Sequence, residues 1–180
     1  LIGYQHGIFS DKIMWLDLIK SNKTYLPQKI LALNKISAKD YKYSLKSNYI
    51  SYKGKEKKLN FPNILKSSKT NSKINKILIF TGTHDAKDIY NLVRNRKNKS
   101  KNEIFYFKFH PKIKINFNQN YFMRKVEKIN NIFFSKVLIS QTSTLIYDFI
   151  ENNKNFYSIS VDYRPSLTSS KLKKIHETTL

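Results

Sequence analysis

The chain contains no cysteine, and only four glycines, four prolines and one tryptophan among its 180 residues. Without cysteine there are no disulfides and no thiolate metal sites, which fits a reducing compartment. The few glycines build no phosphate loop of the Walker type: Gly82 is not followed by Gly-Lys-Ser/Thr, and no dinucleotide fingerprint occurs. No run of eighteen apolar residues is present, so no membrane-spanning helix is encoded in this sequence. No signal-peptide pattern occurs either. Acidic residues are scarce, 12 against 34 lysines and arginines, giving a formal net charge of +22. Arginine itself is rare, confined to positions 94, 96, 124 and 164. Nucleic-acid readers rely on arginine for bidentate and stacking contacts, so this lysine excess argues weakly for them. Lysine together with abundant asparagine and isoleucine is the signature of a compositionally biased genome. The resulting field draws anions in general: nucleotide phosphates, acidic glycans or an anionic membrane surface.

What the chain does have is an alternation of strand and helix patterns. Residues 1–4 read as the end of a strand, and 11–20 as a helix. Residues 30–33 and 49–52 read as short strands, with a helix start at 37–40. Residues 53–75 turn polar and aperiodic, a loop by composition. After it come an apolar strand at 77–80, a helix at 85–96 and a strand at 104–109. A less regular stretch covers 121–127, followed by a strand at 137–139, a helix at 143–153 and a strand at 156–161. Strands joined by helices of about ten residues imply parallel βαβ units with right-handed crossovers. The expectation is an α/β fold: a Rossmann-like parallel sheet with helices on both faces. The divisions expected are a 1–52 remnant, the 53–75 loop, a 76–165 nucleotide-binding domain and a 166–180 polar, frayed tail. The opening in mid-strand at Leu1 reads as a fragment of a longer protein.

Three of the four histidines, His6, His84 and His110, each follow an apolar strand. In a parallel sheet such strand ends share one edge, where open α/β sheets bind ligands. His110 is the strongest case. Pro111 fixes its own φ and biases His110 to extended backbone, which aims the ring off the strand end. An imidazole there can donate to a phosphate oxygen, or rest beside Phe107 and Phe109 satisfied by a carbonyl. Ser140-Gln141-Thr142-Ser143-Thr144 supplies four hydroxyls at a helix start. They suit an anion, although one of them serves equally well as the helix cap. Gly82 would let backbone approach a ligand beside His84, and Asp85 would cap the helix that follows. Asp148 faces either solvent or the cleft. No His/Asp/Glu spacing matches a zinc or calcium site, so no metal is expected.

Lys108-Phe109-His110-Pro111 followed by Ser140-Gln141-Thr142-Ser143-Thr144-Leu145-Ile146-Tyr147-Asp148 resembles the paired His-Pro and Ser-Ser/Thr motifs of bacterial surface-polysaccharide transferases. Gln5-His6-Gly7 is similar to an upstream segment in several of these groups. The likeness extends over residues 76–165 and, loosely, over the first ten. It implies the C-terminal donor half of a GT-B-type fold, with CMP- or CDP-linked sugars as co-substrate and no other cofactor. It further implies that His110, Ser143 and Thr144 contact the donor phosphates; Ser140, Gly82 and His84, at the same strand ends, complete the set of expected phosphate-binding residues. His110 and His6 would then be the catalytic candidates of an inverting, metal-independent glycosyltransferase. Expected partners are a nucleotide-sugar donor, a glycan acceptor and an anionic membrane touched peripherally from the cytoplasm. Here the second motif reads Ser-Thr where the family has Ser-Ser, and the acceptor half with its acidic base motif is not in the sequence. A fragment of this kind would bind donor without turning it over. The rival readings are a CDP-glycerol glycerophosphotransferase and, from another class, a lysine-driven nucleic-acid-binding domain.

Overall fold

The computed structural model describes residues 2–4, 29–32, 38, 50–51, 73–96, 101–129, 132–151, 155–161 and 176–179. The chain divides into two compact units, residues 1–58 with 167–174, and residues 59–166 with 175–180. In the first unit β1 (Ile2–Tyr4), β2 (Lys29–Ala32) and β3 (Ile50–Ser51) form a parallel three-stranded sheet in chain order. The expected helix at 11–20, the one from 37 onward apart from helical Ala38, the 53–72 loop and His6 lie outside the described residues.

The second unit carries a six-stranded sheet in which every pairing is parallel. Its elements are β4 (Asn75–Phe80), α1 (Ala86–Arg94), β5 (Glu103–Lys108), β6 (Met123–Lys125), β7 (Lys136–Ser140), α2 (Leu145–Glu151), β8 (Tyr157–Ser160) and β9 (His176–Thr179). The lateral order is β6-β5-β4-β7-β8-β9. Numbered within the unit, that is 3-2-1-4-5-6, the strand order of doubly wound sheets. The chain moves outward from β4 through β5 and β6. It then returns to the other flank of β4 with β7.

Local chemistry explains the elements. Strand β4 is continuously apolar at 77–80 because both of its faces are covered. Helix α1 buries Ala86, Ile89, Tyr90 and Val93, a spacing of i, i+3, i+4 and i+7 that makes one stripe. That stripe packs with Ile77, Ile79, Phe105, Phe107 and Leu138. One residue out of phase, Phe80 meets Phe149 of α2 edge-on at 5.9 Å between ring centres. Successive strand residues point to opposite faces, so α1 and α2 cover the two sides of the sheet. On the α2 side Tyr106 packs against Phe134 and Phe149 against Phe156.

Two strands depart from the sequence expectation. The stretch 121–127, read as irregular, contains β6, whose Met123 is fully buried while Arg124 and Lys125 are exposed. The segment read as a frayed tail contains β9, parallel to β8 through His176↔Tyr157 to Thr179↔Ser160. Both lie at the edges of the sheet, where charged and polar residues are the norm. No helix is described in the β5–β6 crossover. A stretch without regular secondary structure takes its place, and Ile115 and Phe117 lie against the core.

Candidate functional site

Strands β5 and β7 both border β4, in registers that put Phe80 level with Lys108 on one side and with Ile139 on the other. The loops after β5, β4 and β7 therefore open side by side on the C-terminal edge of one sheet. They meet at β4, where the strand order reverses and doubly wound folds have their crevice. Adjacent strands lie about 4.8 Å apart, so the β5 and β7 ends are about 10 Å from each other. The first contributes His110, the second Ser140 to Thr144.

His110 is half-buried and begins a tight turn in which the amide of Ile113 donates to its carbonyl at 2.9 Å. Pro111 occupies the second position of that turn, which its fixed φ suits. The amide of Lys112 donates to His110 Nδ1 at 3.2 Å. In the neutral ring this acceptor role leaves the hydrogen on Nε2, so Nε2–H is the donor end of the imidazole. Lys108, at the start of the same motif, donates its ammonium to the main-chain oxygen of Glu127. Its charge is thereby held over the β5–β6 side of the edge.

The β7 loop divides its hydroxyls between two tasks. Ser140 is fully buried and donates to Asp85 Oδ2 at 2.5 Å. Thr142 Oγ1 lies 3.3 Å from the same oxygen and 2.8 Å from Ser140 Oγ, which also accepts the Thr142 amide at 3.1 Å. The single hydroxyl hydrogen of Ser140 goes to Asp85, and that of Thr142 is shared between Asp85 and Ser140. Both are used within the protein. Ser143 Oγ accepts the amide of Leu145 at 3.4 Å, a cap-like bond at the start of α2, and its own hydrogen remains to be donated. Half-buried Thr144 has no hydroxyl hydrogen bond among the described residues. Ser143, itself buried at 8 % exposure, and half-buried Thr144 are thus the two hydroxyls of this loop not bound to Asp85.

Asp85 occupies the N-cap position of α1, but its side chain makes no cap bond. It is 2 % exposed and accepts from the Gly82 amide at 3.2 Å through Oδ1 as well as from the two β7-loop hydroxyls. A carboxylate this buried is tolerable only with such donors. Gly82 is closed in by the same group. A Cβ added there would lie 1.7 Å from Thr142 Oγ1, 2.8 Å from Ser140 Oγ and 3.0 Å from Asp85 Oδ1. The absence of a side chain at 82 makes room for the neighbouring loop, and its amide serves Asp85. Neither is presented to a ligand. Thr81 is 3 % exposed, and its hydroxyl makes no hydrogen bond. His84 is exposed in the bend between β4 and α1.

Asp148, on α2, is half-buried, and burial holds its carboxyl above the ordinary aspartate range. Among the described residues no group of three His, Cys, Asp or Glu side chains is placed to hold a metal ion. No described helix is long and apolar enough to cross a membrane.

Sequence reasoning singled out His110, Ser140, Ser143, Thr144, Gly82 and His84, all at strand ends on one edge. The structure ties Ser140 and the Gly82 amide to Asp85, leaves His84 exposed in its bend, and gives Thr142 and Asp85 a joint role that spacing did not reveal. A short polar loop after each of two strands offered the signal. That Asp85 reaches across to Ser140, 55 residues away, depends on β4 and β7 being neighbours, which pattern alone does not give. No protein-family model, no curated protein and no solved structure matches this chain.

Proposed function

We propose that the second unit is the donor-binding half of a GT-B-type transferase of bacterial surface polysaccharides, taking a CMP- or CDP-linked sugar. One observation carries the reading. The His-Pro loop after β5 and the Ser-Thr loop after β7 open on the same sheet edge, on the two strands that flank β4.

The chemistry assigned to that edge is leaving-group stabilisation. His110 Nε2–H and the hydroxyls of Ser143 and Thr144 donate to the phosphate on which charge builds as the glycosidic bond breaks. A base on the acceptor side, outside the described residues, removes the proton of the attacking hydroxyl. The reaction inverts the anomeric centre and uses no metal. His6, outside the described residues, is the second catalytic candidate by its Gln-His-Gly setting. The lysine excess draws in the anionic donor and holds the protein at an anionic membrane surface.

The test is titration calorimetry of this chain with CMP and with CDP, followed by turnover of CMP-sugars and CDP-glycerol by the full-length protein. Binding of either nucleotide, with loss of affinity in His110→Ala, supports the reading. Binding of neither, or unchanged affinity in His110→Ala, ends it. Turnover of CDP-glycerol alone would make the enzyme a glycerophosphotransferase working from the same edge.

A further inference from the structure

We propose that Asp85 is a positioning residue: it clasps the loop after β4 to the loop after β7 and so fixes where Ser143 and Thr144 stand. The clasp has three strands of evidence. Asp85 is buried, and its two oxygens divide between the loops, Oδ1 taking the Gly82 amide and Oδ2 the hydroxyls of Ser140 and Thr142. Gly82 sits against Thr142 so closely that a Cβ added there would lie 1.7 Å from Thr142 Oγ1. The turn from Ser140 to Ser143 closes through the Ser143 amide to the Ser140 carbonyl at 2.9 Å, so the anchored Ser140 sets the start of the segment that ends in Ser143.

The physical consequence is preorganisation. Donors that stabilise developing charge are effective when they are held in place before the reaction and need not reorganise. A loop tied at Ser140 and Thr142 keeps the next two hydroxyls within a narrow range, on an edge where their partner His110 is itself held by its turn. Asp85 touches no reacting atom. It acts through the two hydroxyls it accepts from, and its part in catalysis rests on the donor-site reading above.

The experiment combines amide hydrogen exchange with nucleotide titration of the same chain. In Asp85→Asn the amides of residues 141–144 exchange at least tenfold faster, while those of the β4 strand, residues 77–80, keep their wild-type rate. Thr142→Val, which keeps the shape and loses the hydroxyl, loosens the same segment. Thr142→Ser, which keeps the hydroxyl and loses the methyl, retains wild-type protection. A role in packing alone reverses that pair and overturns the proposal, as does unchanged exchange at 141–144 in Asp85→Asn. The dissociation constant for CDP rises about tenfold in Asp85→Asn, and Ser140→Ala adds nothing further on that background, since both remove one linkage. Additive losses overturn the linkage. Should the wild-type chain bind neither CMP nor CDP, the donor reading falls while the exchange data still decide on the clasp.

Discussion

Gly82→Ala puts the packing of the two loops under direct load. Gly82 is not in the left-handed region, so its backbone imposes no penalty on alanine. On backbone grounds alone the substitution would stabilise by about 0.4–1 kcal/mol, because it narrows the unfolded ensemble. Sterics oppose it. The new Cβ falls 1.7 Å from Thr142 Oγ1, far inside contact, and two further oxygens of the clasp lie within 3.0 Å. Thr142 can yield only by giving up its bonds to Asp85 and Ser140. Overpacking of a filled core costs about 1–3 kcal/mol, and the lost hydrogen bonding adds about 1 kcal/mol. The net expectation is a loss of about 1–3.6 kcal/mol, or roughly 2–14 °C in melting temperature for a chain of this size. Thermal unfolding followed by circular dichroism, repeated with urea, measures it. Adding Thr142→Ala removes the colliding atom, so Gly82→Ala should cost less on that background than on wild type. A Gly82→Ala protein as stable as wild type would refute the packing, and so would an equal cost on both backgrounds.

Three further outcomes are expected. On the proposed transferase reading, His110→Ala lowers kcat/KM by roughly ten- to a thousandfold, the scale for losing one charge-stabilising donor; wild-type kinetics would remove the residue from the site. Asp148→Asn alters how stability depends on pH. Burial raises the folded-state pKa of Asp148, so the native form favours the neutral acid, and wild type loses stability as pH rises through the carboxylate range toward that raised value. Melting curves at stepped pH should show wild type falling behind Asp148→Asn over that interval, and parallel curves would contradict the burial. Phe107→Ala empties the centre of the α1-side core, where Phe107 is fully buried against Tyr90, Phe109 and Phe117. It should cost about 3–5 kcal/mol by urea denaturation, and a loss under 1 kcal/mol would show that the site is not packed as described.

Much of the second unit was legible because its central strands are buried on both faces. Residues 77–80, 105–107 and 137–139 are apolar without interruption, and such runs announce themselves at any register. The helix α1 was equally plain from its stripe, although its buried face includes Tyr90, which a count of aliphatic residues passes over. The edge strands were not legible. Met123-Arg124-Lys125 and His176-Glu177-Thr178-Thr179 are held by main-chain pairing to one neighbour, and the hydrogen bonds of a backbone carry no side-chain signature. Strand order was hidden for the same reason. Period and loop length predict that β4, β5 and β7 are parallel, but only the pairings reveal that β4 lies between the other two.

That single adjacency decides which polar residues serve the scaffold and which remain for a ligand. Had β7 paired outside β6, Asp85 would be a plain helix cap and Ser140 a free hydroxyl, as sequence spacing suggests. With β7 beside β4, the first and third residues of Ser140-Gln141-Thr142-Ser143-Thr144 turn inward to Asp85, and the last two follow where the strand is already ending. The run of hydroxyls is therefore not four equivalent anion donors. Ser140 ends β7 and is fully buried, and half-buried Thr142 is turned to Asp85 by the bend that follows, whereas Ser143 and Thr144 make no bond to Asp85 and lie at the start of α2. A phosphate drawn to this edge by the excess positive charge would meet the imidazole of His110 on one flank and these two hydroxyls on the other. The buried carboxylate of Asp85 lies behind them, bound to Ser140 and Thr142 of the same loop.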